Sequence, residues 1–324
     1  MRSLARLLSL SLAAAFTAAL GTLSAAPAYA ADPTTMTNGF YADPGSSAQQ
    51  WVASHPTDGR TPAIRAAVAQ TPAARWFGNW SGTIGTATGA YVGAAAYSGK
   101  LPVLVAYNIP DRDICAGQSG GGAGSVAAYN TWIAAFASGI AGRPAIVILE
   151  PDALGDESCM TSAQIAERNN LLTNAIAQFR AKAPNTWVYL DAGNPGWTSA
   201  TTMAQHLAAA GLSGAHGFSL NVSNFYTTAQ NTAYGNAVNS ALGASNGYTK
   251  PYVIDTSRNG KGSNGTWCNP AGAQIGSTPR LGGGAEMLLW VKNPGESDGN
   301  CGTGGGSSAG QFLPQVAYNL VYGY

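Results

Sequence analysis

Short apolar runs alternate with longer Ala-rich stretches along most of the chain, and this alternation constrains the fold more than any other feature. Seven runs rich in β-branched and aromatic residues predict strands at Arg75–Trp80, Val103–Tyr107, Ala145–Leu149, Trp187–Leu190, Phe218–Leu220, Tyr252–Ile254 and Met287–Val291. The stretches between and after them predict helices near Thr83–Ser98, Ser125–Ala141, Ser162–Lys182, Ser199–Ala210, Ala229–Leu242 and Gln311–Val321. Apolar strands separated by helices indicate a parallel α/β sheet that is buried on both faces. The pattern suggests a barrel or a strongly curved sheet, with a doubly wound open sheet as the alternative.

The first thirty residues have the features of a secretory signal peptide. Arg2 and Arg6 give a basic start, and Leu7–Ala26 is nearly all Leu, Ala, Ser and Phe. Ala28-Tyr29-Ala30 is a cleavage site of the small-x-small type, whereas a membrane anchor, the alternative, does not need one. We therefore expect a secreted, extracellular chain without a membrane partner. Residues 31–324 are expected to form a single domain, as α/β barrels of about 250 residues often do.

The charge balance argues against a nucleic-acid partner. The full chain has 16 basic and 15 acidic side chains, and removal of Arg2 and Arg6 with the leader leaves 14 basic against 15 acidic. A chain this close to neutrality lacks the basic excess that contact with a phosphate backbone requires. It suits a neutral substrate instead.

Four cysteines are present, an even count that in an exported chain indicates two disulfides with three possible pairings. They are Cys115, Cys159, Cys268 and Cys301. None forms a Cys-x-x-Cys pair, and the chain has only three histidines. We therefore expect no zinc site, no other metal ion and no cofactor.

Acidic side chains collect just after the predicted strands, and eight of the 15 acidic residues lie there. These are Asp111, Asp113, Glu150, Asp152, Asp191, Asp255, Glu296 and Asp298. In parallel α/β folds the loops after the strands form one mouth, where the chemistry gathers. The histidines do not follow strands and the cysteines are expected to be oxidised, so paired carboxylates remain as the chemical tools. Such pairs are typical of glycoside hydrolysis, in which one carboxyl is protonated and the other ionised.

Tryptophans near the strand ends fit a sugar substrate. Trp76, Trp80, Trp197 and Trp267 lie at or after predicted strands. Indole rings stack on the C–H faces of pyranose rings, while packing in the core or at the rim is the alternative for each of them.

Six motifs in order carry a resemblance to a known family, and they extend over Phe40–Tyr324. They are Tyr107-Asn-Ile-Pro-Asp-Arg-Asp113, Ile148-Leu-Glu-Pro-Asp-Ala-Leu154, Leu190-Asp-Ala-Gly193, Asn221-Val-Ser-Asn224, Asp255-Thr-Ser-Arg-Asn-Gly260 and Trp290-Val-Lys-Asn-Pro-Gly-Glu-Ser-Asp-Gly299. Together they resemble family 6 of the glycoside hydrolases, which contains inverting endoglucanases and cellobiohydrolases. The resemblance implies a distorted, seven-stranded, TIM-like β/α barrel and cleavage of β-1,4-glucan.

The same resemblance implies catalytic roles for five residues. Asp152 would be the general acid. Asp113 would raise the pKa of Asp152 and stabilise positive charge on the distorted sugar ring. Tyr107 would crowd that ring, and Ser119 would help to hold the hydrolytic water. Asp298 is the candidate base, with a chain of waters as the alternative route for the proton.

Further residues match the substrate-binding positions of the family, and we expect them to contact the glucan. They are Trp76, Asn194, Trp197, Asn224, Trp267, Lys292 and Glu296. Asn194 replaces the His that is frequent in the family. The resemblance also implies the disulfides Cys115–Cys159 and Cys268–Cys301. Glu150, Asp191 and Asp255 are expected to be structural, with the last two acting as hydrogen-bonded struts for the loops.

Short, Gly-rich loops after Tyr107 and Lys292 favour an open cleft at the C-terminal strand ends. An open cleft favours cleavage within the glucan chain. We also expect the protein to be a monomer. The alternatives are a cellobiohydrolase that acts at chain ends, a non-catalytic glucan-binding protein, and a metal-dependent hydrolase with clustered aspartates.

Overall fold

The computed structural model describes residues 31–115, 117, 120–155 and 157–324, so the predicted signal peptide and Ser119 lie outside the described residues. Eight strands form one sheet: β1 Arg75–Phe77, β2 Val103–Ala106, β3 Ala145–Leu149, β4 Thr186–Asp191, β5 Gly217–Leu220, β6 Tyr252–Asp255, β7 Arg280–Leu281 and β8 Met287–Leu289. The strand order is β1-β2-β3-β4-β5-β6-β8-β7. All pairings from β1 to β8 are parallel, and β7 runs antiparallel to β8.

The two sides of this sheet approach each other and close a barrel-like structure. The Ala74 N–H donates to the Trp290 carbonyl (2.8 Å), just before β1 and just after β8. The Trp76 indole Nε1 donates to the Val291 carbonyl (2.8 Å). In the described residues β1 and β8 are not paired as neighbouring strands, so the two hydrogen bonds close the gap between them. The expected distorted α/β barrel is confirmed, and the short strand β7 is an addition that the sequence pattern did not predict.

Helices cover the outside of the sheet. They are α1 Ser47–Ser54, α2 Thr61–Ile64, α3 Ile84–Tyr97, α4 Val126–Ile140, α5 Ser162–Lys182, α6 Ala200–Ala209, α7 Thr228–Asn246 and α8 Pro314–Tyr322. A π-helical turn, Arg65–Ala69, continues α2. The six predicted helices are confirmed as α3 to α8 with small changes at their ends, whereas α1 and α2 were not predicted. Within the described ranges, no helix has both the length and the apolar character needed to cross a bilayer.

Strands β2, β3, β5, β6 and β8 are buried at every residue, which is why they read as continuous apolar runs. Successive side chains of a strand point to opposite faces of the sheet. Leu104 and Val147 pack in the layer between the sheet and the helices. Their neighbours Val105 and Ile148 pack inside the barrel. The interior therefore fills with branched side chains, and the polar groups that follow the strands are left at the mouth.

Two disulfides brace the loops at the mouth. Cys115, after β2, is bonded to Cys159, which lies between β3 and α5. Cys268, between β6 and β7, is bonded to Cys301, which follows β8. The structure therefore contains both disulfides that the family resemblance implied. In a chain-entropy description, closing loops of this size stabilises the fold by about 3–4 kcal/mol each.

Helices α3 and α4 pack at a distance that only glycine permits at position 139. A Cβ atom at Gly139 would overlap the Thr88 hydroxyl and the Gly85 carbonyl oxygen of α3. We expect Gly139→Ala to lower the free energy of unfolding by about 1–3 kcal/mol, the usual cost of overpacking. Gly142→Ala, in a turn with nothing near the added methyl group, is the control. Equal denaturation midpoints for the two variants would contradict the expectation.

Candidate active site

Backbone conformations that side chains rarely adopt are concentrated after β2, β3 and β5. Positive φ angles occur at Asp111 (50°), Asp113 (54°), Glu150 (49°), Asp152 (72°), Asn221 (67°) and Ser223 (58°). Non-glycine residues seldom occupy this region, and they stay there only when their surroundings hold them. The turns at the mouth are therefore strained, and hydrogen bonds to buried side chains keep them in place.

Two buried carboxylates hold the turns around Asp152. Glu150 accepts hydrogen bonds from the N–H groups of Asn108 (2.8 Å) and Ile109 (2.9 Å), which follow β2. Asp191 accepts from the Asp152 N–H (3.1 Å) and the Gly193 N–H (3.2 Å). Burial is the main cause that raises the pKa of both carboxyls to about 7, and the charge of Asp152 contributes to the rise at Asp191.

Asp255 does the same for the other side of the mouth. Its carboxylate accepts N–H groups from Ser223 (3.0 Å) and Ser257 (2.9 Å). It also accepts those of Val291 (3.2 Å) and Lys292 (3.0 Å), which follow β8. Asp191 and Asp255 thus have the strut geometry expected from the sequence, and they fix the positions of their neighbours.

A cleft of about 1330 Å³ lies at the C-terminal ends of the strands, and most of the predicted site residues line it. They are Trp76, Tyr107, Asp113, Asp152, Trp197, Asn224, Trp267, Lys292, Glu296 and Asp298. Trp80 also lines the cleft. Trp80, Trp197 and Trp267 are 57%, 42% and 43% exposed, which is unusual for the largest apolar side chain. Exposed indole rings beside carboxylates form a surface that suits an extended sugar chain.

Asp152 has the electrostatics of a proton donor. Its half-buried side chain accepts a hydrogen bond at Oδ2 from the Tyr107 hydroxyl (3.1 Å). Burial raises the pKa of Asp152 to about 6, and Asp113 adds to the rise. The Tyr107 hydroxyl, Arg112 and Lys292 oppose it. The carboxyl therefore retains a proton at mildly acidic pH while it faces the cleft.

Asp298 has the opposite character. It accepts from Arg258 Nη1 (2.7 Å) and the Asn269 N–H (3.0 Å) at Oδ2, and Lys292 Nζ lies 3.3 Å from Oδ1. Burial by itself raises the pKa of Asp298, but the two cations and the hydrogen bonds outweigh it and hold the pKa below its ordinary value. Asp298 therefore remains ionised across the neutral and mildly acidic range.

Glu296 lies where the cleft meets α1. Ser47, the first residue of α1, donates its hydroxyl to Oε1 of Glu296 (2.7 Å), and Asn293 Nδ2 donates to Oε2 (3.3 Å). Burial raises the pKa of Glu296. An unpredicted helix thus contributes a side chain that orients one of the predicted substrate ligands.

Asn194 is placed differently from the expectation of direct sugar contact. Its side chain is buried, and Oδ1 accepts the Gly196 N–H (2.9 Å) inside the turn after β4. It is not part of the lining of the cleft. In this conformation the amide oxygen stabilises the turn that precedes Trp197. Ser119 lies outside the described residues.

Three arginines at the mouth were not predicted to have a role. The Arg112 guanidinium lies 3.7 Å from the centre of the Tyr107 ring and donates to the Tyr107 carbonyl (3.1 Å). Arg258 donates a hydrogen bond to Asp298, and Arg168 donates to the Ala153 and Asp111 carbonyls in the turns after β3 and β2. Arg112 and Arg258 lie within the quoted motifs, so their positions were visible in the sequence, but their partners were not.

Among the described residues, no group of three or more His, Cys, Asp and Glu side chains is arranged to hold a metal ion.

Comparison with known proteins identifies the family. The model of the glycosyl hydrolases of family 6 matches residues 31–323. The chain belongs to glycosyl hydrolase family 6. It is 69% identical over 301 residues to Endoglucanase 1 of Streptomyces halstedii, covering 93% of this chain and 94% of that protein. It is 43% identical over 333 residues to Endoglucanase A of Thermobispora bispora, covering 99% and 70%.

Solved family 6 structures share the fold. The endoglucanase Cel6 from Mycobacterium tuberculosis, in complex with methyl-cellobiosyl-4-deoxy-4-thio-β-D-cellobioside, superimposes with a TM-score of 0.81 at 39% identity. The superposition covers 90% of this chain and 99% of that chain. The family resemblance drawn from six motifs is thus confirmed by sequence and by fold.

The hydrogen bond between Tyr107 and Asp152 gives a prediction about protonation. The hydroxyl stabilises the ionised carboxylate, so Tyr107→Phe should raise the pKa of Asp152 above about 6. Carbon-13 NMR titration of the aspartate carboxyl carbons measures this, with Asp152→Asn used to assign the resonance. Tyr97→Phe, at a 96% exposed ring, is the control. An unchanged or lower pKa in Tyr107→Phe would show that the hydroxyl does not stabilise the charge.

Proposed function

We propose that the chain hydrolyses internal β-1,4-glucosidic bonds of cellulose and related β-glucans, with inversion at the anomeric carbon. The observation that carries this proposal is Asp152, a carboxyl with a pKa of about 6 that faces a cleft lined by exposed tryptophans. Membership of family 6 and the endoglucanase names of the relatives at 69% and 43% identity support it.

In this mechanism the protonated Asp152 donates its proton to the glycosidic oxygen as the bond to the leaving sugar breaks. General acids act best when their pKa lies near the working pH, and a carboxyl with its ordinary pKa is already ionised there. Since only the protonated form of Asp152 is active, kcat/KM should decline as the pH rises through about 6. Burial and the charge of Asp113 move this limit toward neutral pH.

Asp113 and Tyr107 act on the sugar at the point of cleavage. The Asp113 carboxylate lines the cleft beside Asp152 and would stabilise the positive charge that develops on the ring carbon. The Tyr107 ring is held on one face by the Arg112 guanidinium and at its hydroxyl by Asp152. A fixed ring at this position would crowd the sugar and favour the distorted conformation that precedes bond cleavage.

We assign the role of base to Asp298 because its pKa is lowered, whereas that of the acid Asp152 is raised. Its ion pairs with Arg258 and Lys292 keep it ionised, so it is always able to accept a proton. The same ion pairs make it a weak base. Proton transfer through one or more waters fits a weak base that lies beside the cleft, and Ser119 is proposed to hold the attacking water.

Recognition of the glucan combines stacking and hydrogen bonds. Trp76, Trp197 and Trp267 would stack on successive sugar rings. The polar ligands would be Asn224, Lys292 and Glu296, which line the same cleft. Because the substrate is neutral, these contacts need no excess of charge on the protein surface.

The proposed signal peptide and the disulfides bear on where the enzyme acts. We propose that residues 1–30 direct export and that residues 31–324 form one monomeric, extracellular catalytic domain. Two disulfides suit an oxidising compartment, and they brace loops at the mouth of the cleft.

Asp152→Asn tests the acid. The amide has no proton to donate to the glycosidic oxygen, so kcat on cellulose derivatives should fall by about 10²–10⁴-fold. Binding of cellotetraose, measured by calorimetry, should persist because the stacking surface is unchanged. Asp58→Asn makes the same chemical change at a surface ion pair outside the cleft and should keep full activity. Retention of activity by Asp152→Asn would overturn the mechanism, and inactivity of the wild-type enzyme would indicate a glucan-binding protein.

Internal cleavage with inversion has two signatures in the products. The viscosity of a soluble cellulose derivative should fall well ahead of the release of reducing ends. Proton NMR during hydrolysis of cellohexaose should first show the α-anomer, as expected for carboxyls about 6.5–9.5 Å apart. Steady release of cellobiose with little loss of viscosity would indicate a cellobiohydrolase, and an initial β-anomer would contradict inversion.

A further inference from the structure

A buried arginine on α5 joins the two turns that carry Asp113 and Asp152. Arg168 is 3% exposed. Its Nη1 donates to the Ala153 carbonyl (3.0 Å), one residue after Asp152. Its Nη2 donates to the Asp111 carbonyl (2.7 Å), two residues before Asp113. One guanidinium thus spans the loop after β2 and the loop after β3.

Arg168 occupies a position where a helix of this kind normally places an apolar residue. The buried face of α5 continues through Leu171, Leu172 and Ala175, at the spacing of one helical stripe. Burial lowers the pKa of Arg168, opposed by the nearby acids Glu157, Asp111, Asp113 and Glu150. A buried charge of this kind costs free energy that an apolar side chain does not. The nearby acids offset part of this cost, and the two hydrogen bonds of the guanidinium give the buried charge a structural role.

The bonded turns are the ones that need support. Asp111, Asp113 and Asp152 all have left-handed backbone conformations, so each turn tends to relax unless it is held. Helix α5 is a firm anchor because it is 21 residues long and begins with a capping box between Thr161 and Gln164. The planar fork of a guanidinium fixes two acceptors relative to one another, which the single ammonium group of a lysine does not do.

We propose that Arg168 is a positioning residue that sets the separation between Asp113 and Asp152 by fastening both of their turns to α5. The proposal rests on the proposed function, since it treats Asp152 as the acid. Arg168 is not part of the lining of the cleft, and it would act through its bonds to the Asp111 and Ala153 carbonyls. A looser clamp would let the two aspartates move apart and would misplace the acid relative to the glycosidic oxygen.

Arg168→Lys is the decisive variant because it keeps the charge and removes the fork. We expect kcat on cellohexaose to fall by about 10- to 100-fold, as small misplacements of catalytic groups do. The dissociation constant of cellotetraose should stay unchanged. The alkaline limb of kcat/KM should move to lower pH, because a more distant Asp113 raises the pKa of Asp152 less. The other groups that face Asp152, namely Tyr107, Arg112, Lys292 and Asp191, are left in place.

Arg143→Lys is the matched control. Arg143 also donates to backbone carbonyls, those of Ile140 and Gly89, but it joins α4 to α3 away from the cleft. It should lower the melting temperature while leaving kcat and the pH profile as in the wild type. Arg168→Gln, which has one short amide in place of the fork, provides a second variant at the clamp.

An Arg168→Lys enzyme with wild-type kcat and pH profile would overturn the proposal. So would a loss of activity that only follows the unfolded fraction, with the alkaline limb unmoved. Failure of both Arg168 variants to fold, while Arg143→Lys folds, would also overturn it, because Arg168 would then serve the fold and not the site. These outcomes are distinct from failure of the proposed function, which wild-type activity and its loss in Asp152→Asn test independently.

Discussion

Hydrogen bonds from backbone N–H groups to buried carboxylates at the strand ends hold the mouth of the barrel together. Glu150, Asp191 and Asp255 end or follow β3, β4 and β6, and each accepts two or more N–H groups from its own or a neighbouring turn. A parallel sheet delivers its loops to one edge but leaves their N–H groups without ladder partners. A carboxylate at the strand end accepts hydrogen bonds from several of these N–H groups at once. It can therefore hold a loop whose backbone has positive φ angles and does not form a regular turn.

The same arrangement decides which carboxyl groups keep a proton. Burial raises the pKa of Asp152 and Asp191, which are linked through the Asp152 N–H, and a neighbouring anion adds to each rise, Asp113 for Asp152 and Asp152 for Asp191. Asp298 is almost as buried but lies between Arg258 and Lys292, so it stays ionised. Two aspartates with opposite protonation states in one cleft are what an inverting hydrolase needs. Here burial dominates at Asp152, whereas two cations and the hydrogen bonds outweigh burial at Asp298.

The sequence predicted those parts that depend on local pattern. Apolar runs located seven of the eight strands, and motif positions located the tyrosine, the carboxyl groups and the polar side chains that we expect to act in the cleft, namely Tyr107, Asp113, Asp152, Asn224, Lys292, Glu296 and Asp298. The two-residue strand β7 has no apolar run of its own, and α1 and α2 are too short to show a clear period. Asn194 was expected to contact the sugar because it stands where the family often has His, yet its side chain turns inward and accepts the Gly196 N–H. The direction of this side chain depends on the conformation of a single turn, and the spacing of residues in the sequence does not reveal it.

Long-range partners were the other part that the sequence pattern could not reveal, and the arginines show why. Charged residues make up only 10% of the chain, but three arginines are buried near the mouth. Arg112 holds the Tyr107 carbonyl and ring, Arg168 holds two turns, and Arg258 holds Asp298 and the Ser223 carbonyl. Each guanidinium bonds a backbone carbonyl of a strained or functional turn, and the contacts of Arg168 with Asp111 and of Arg258 with Ser223 join segments that lie far apart in sequence. Arg112 also opposes the rise in the pKa of Asp152, and Arg258 lowers the pKa of Asp298, so the same cations contribute to both geometry and ionisation at the cleft.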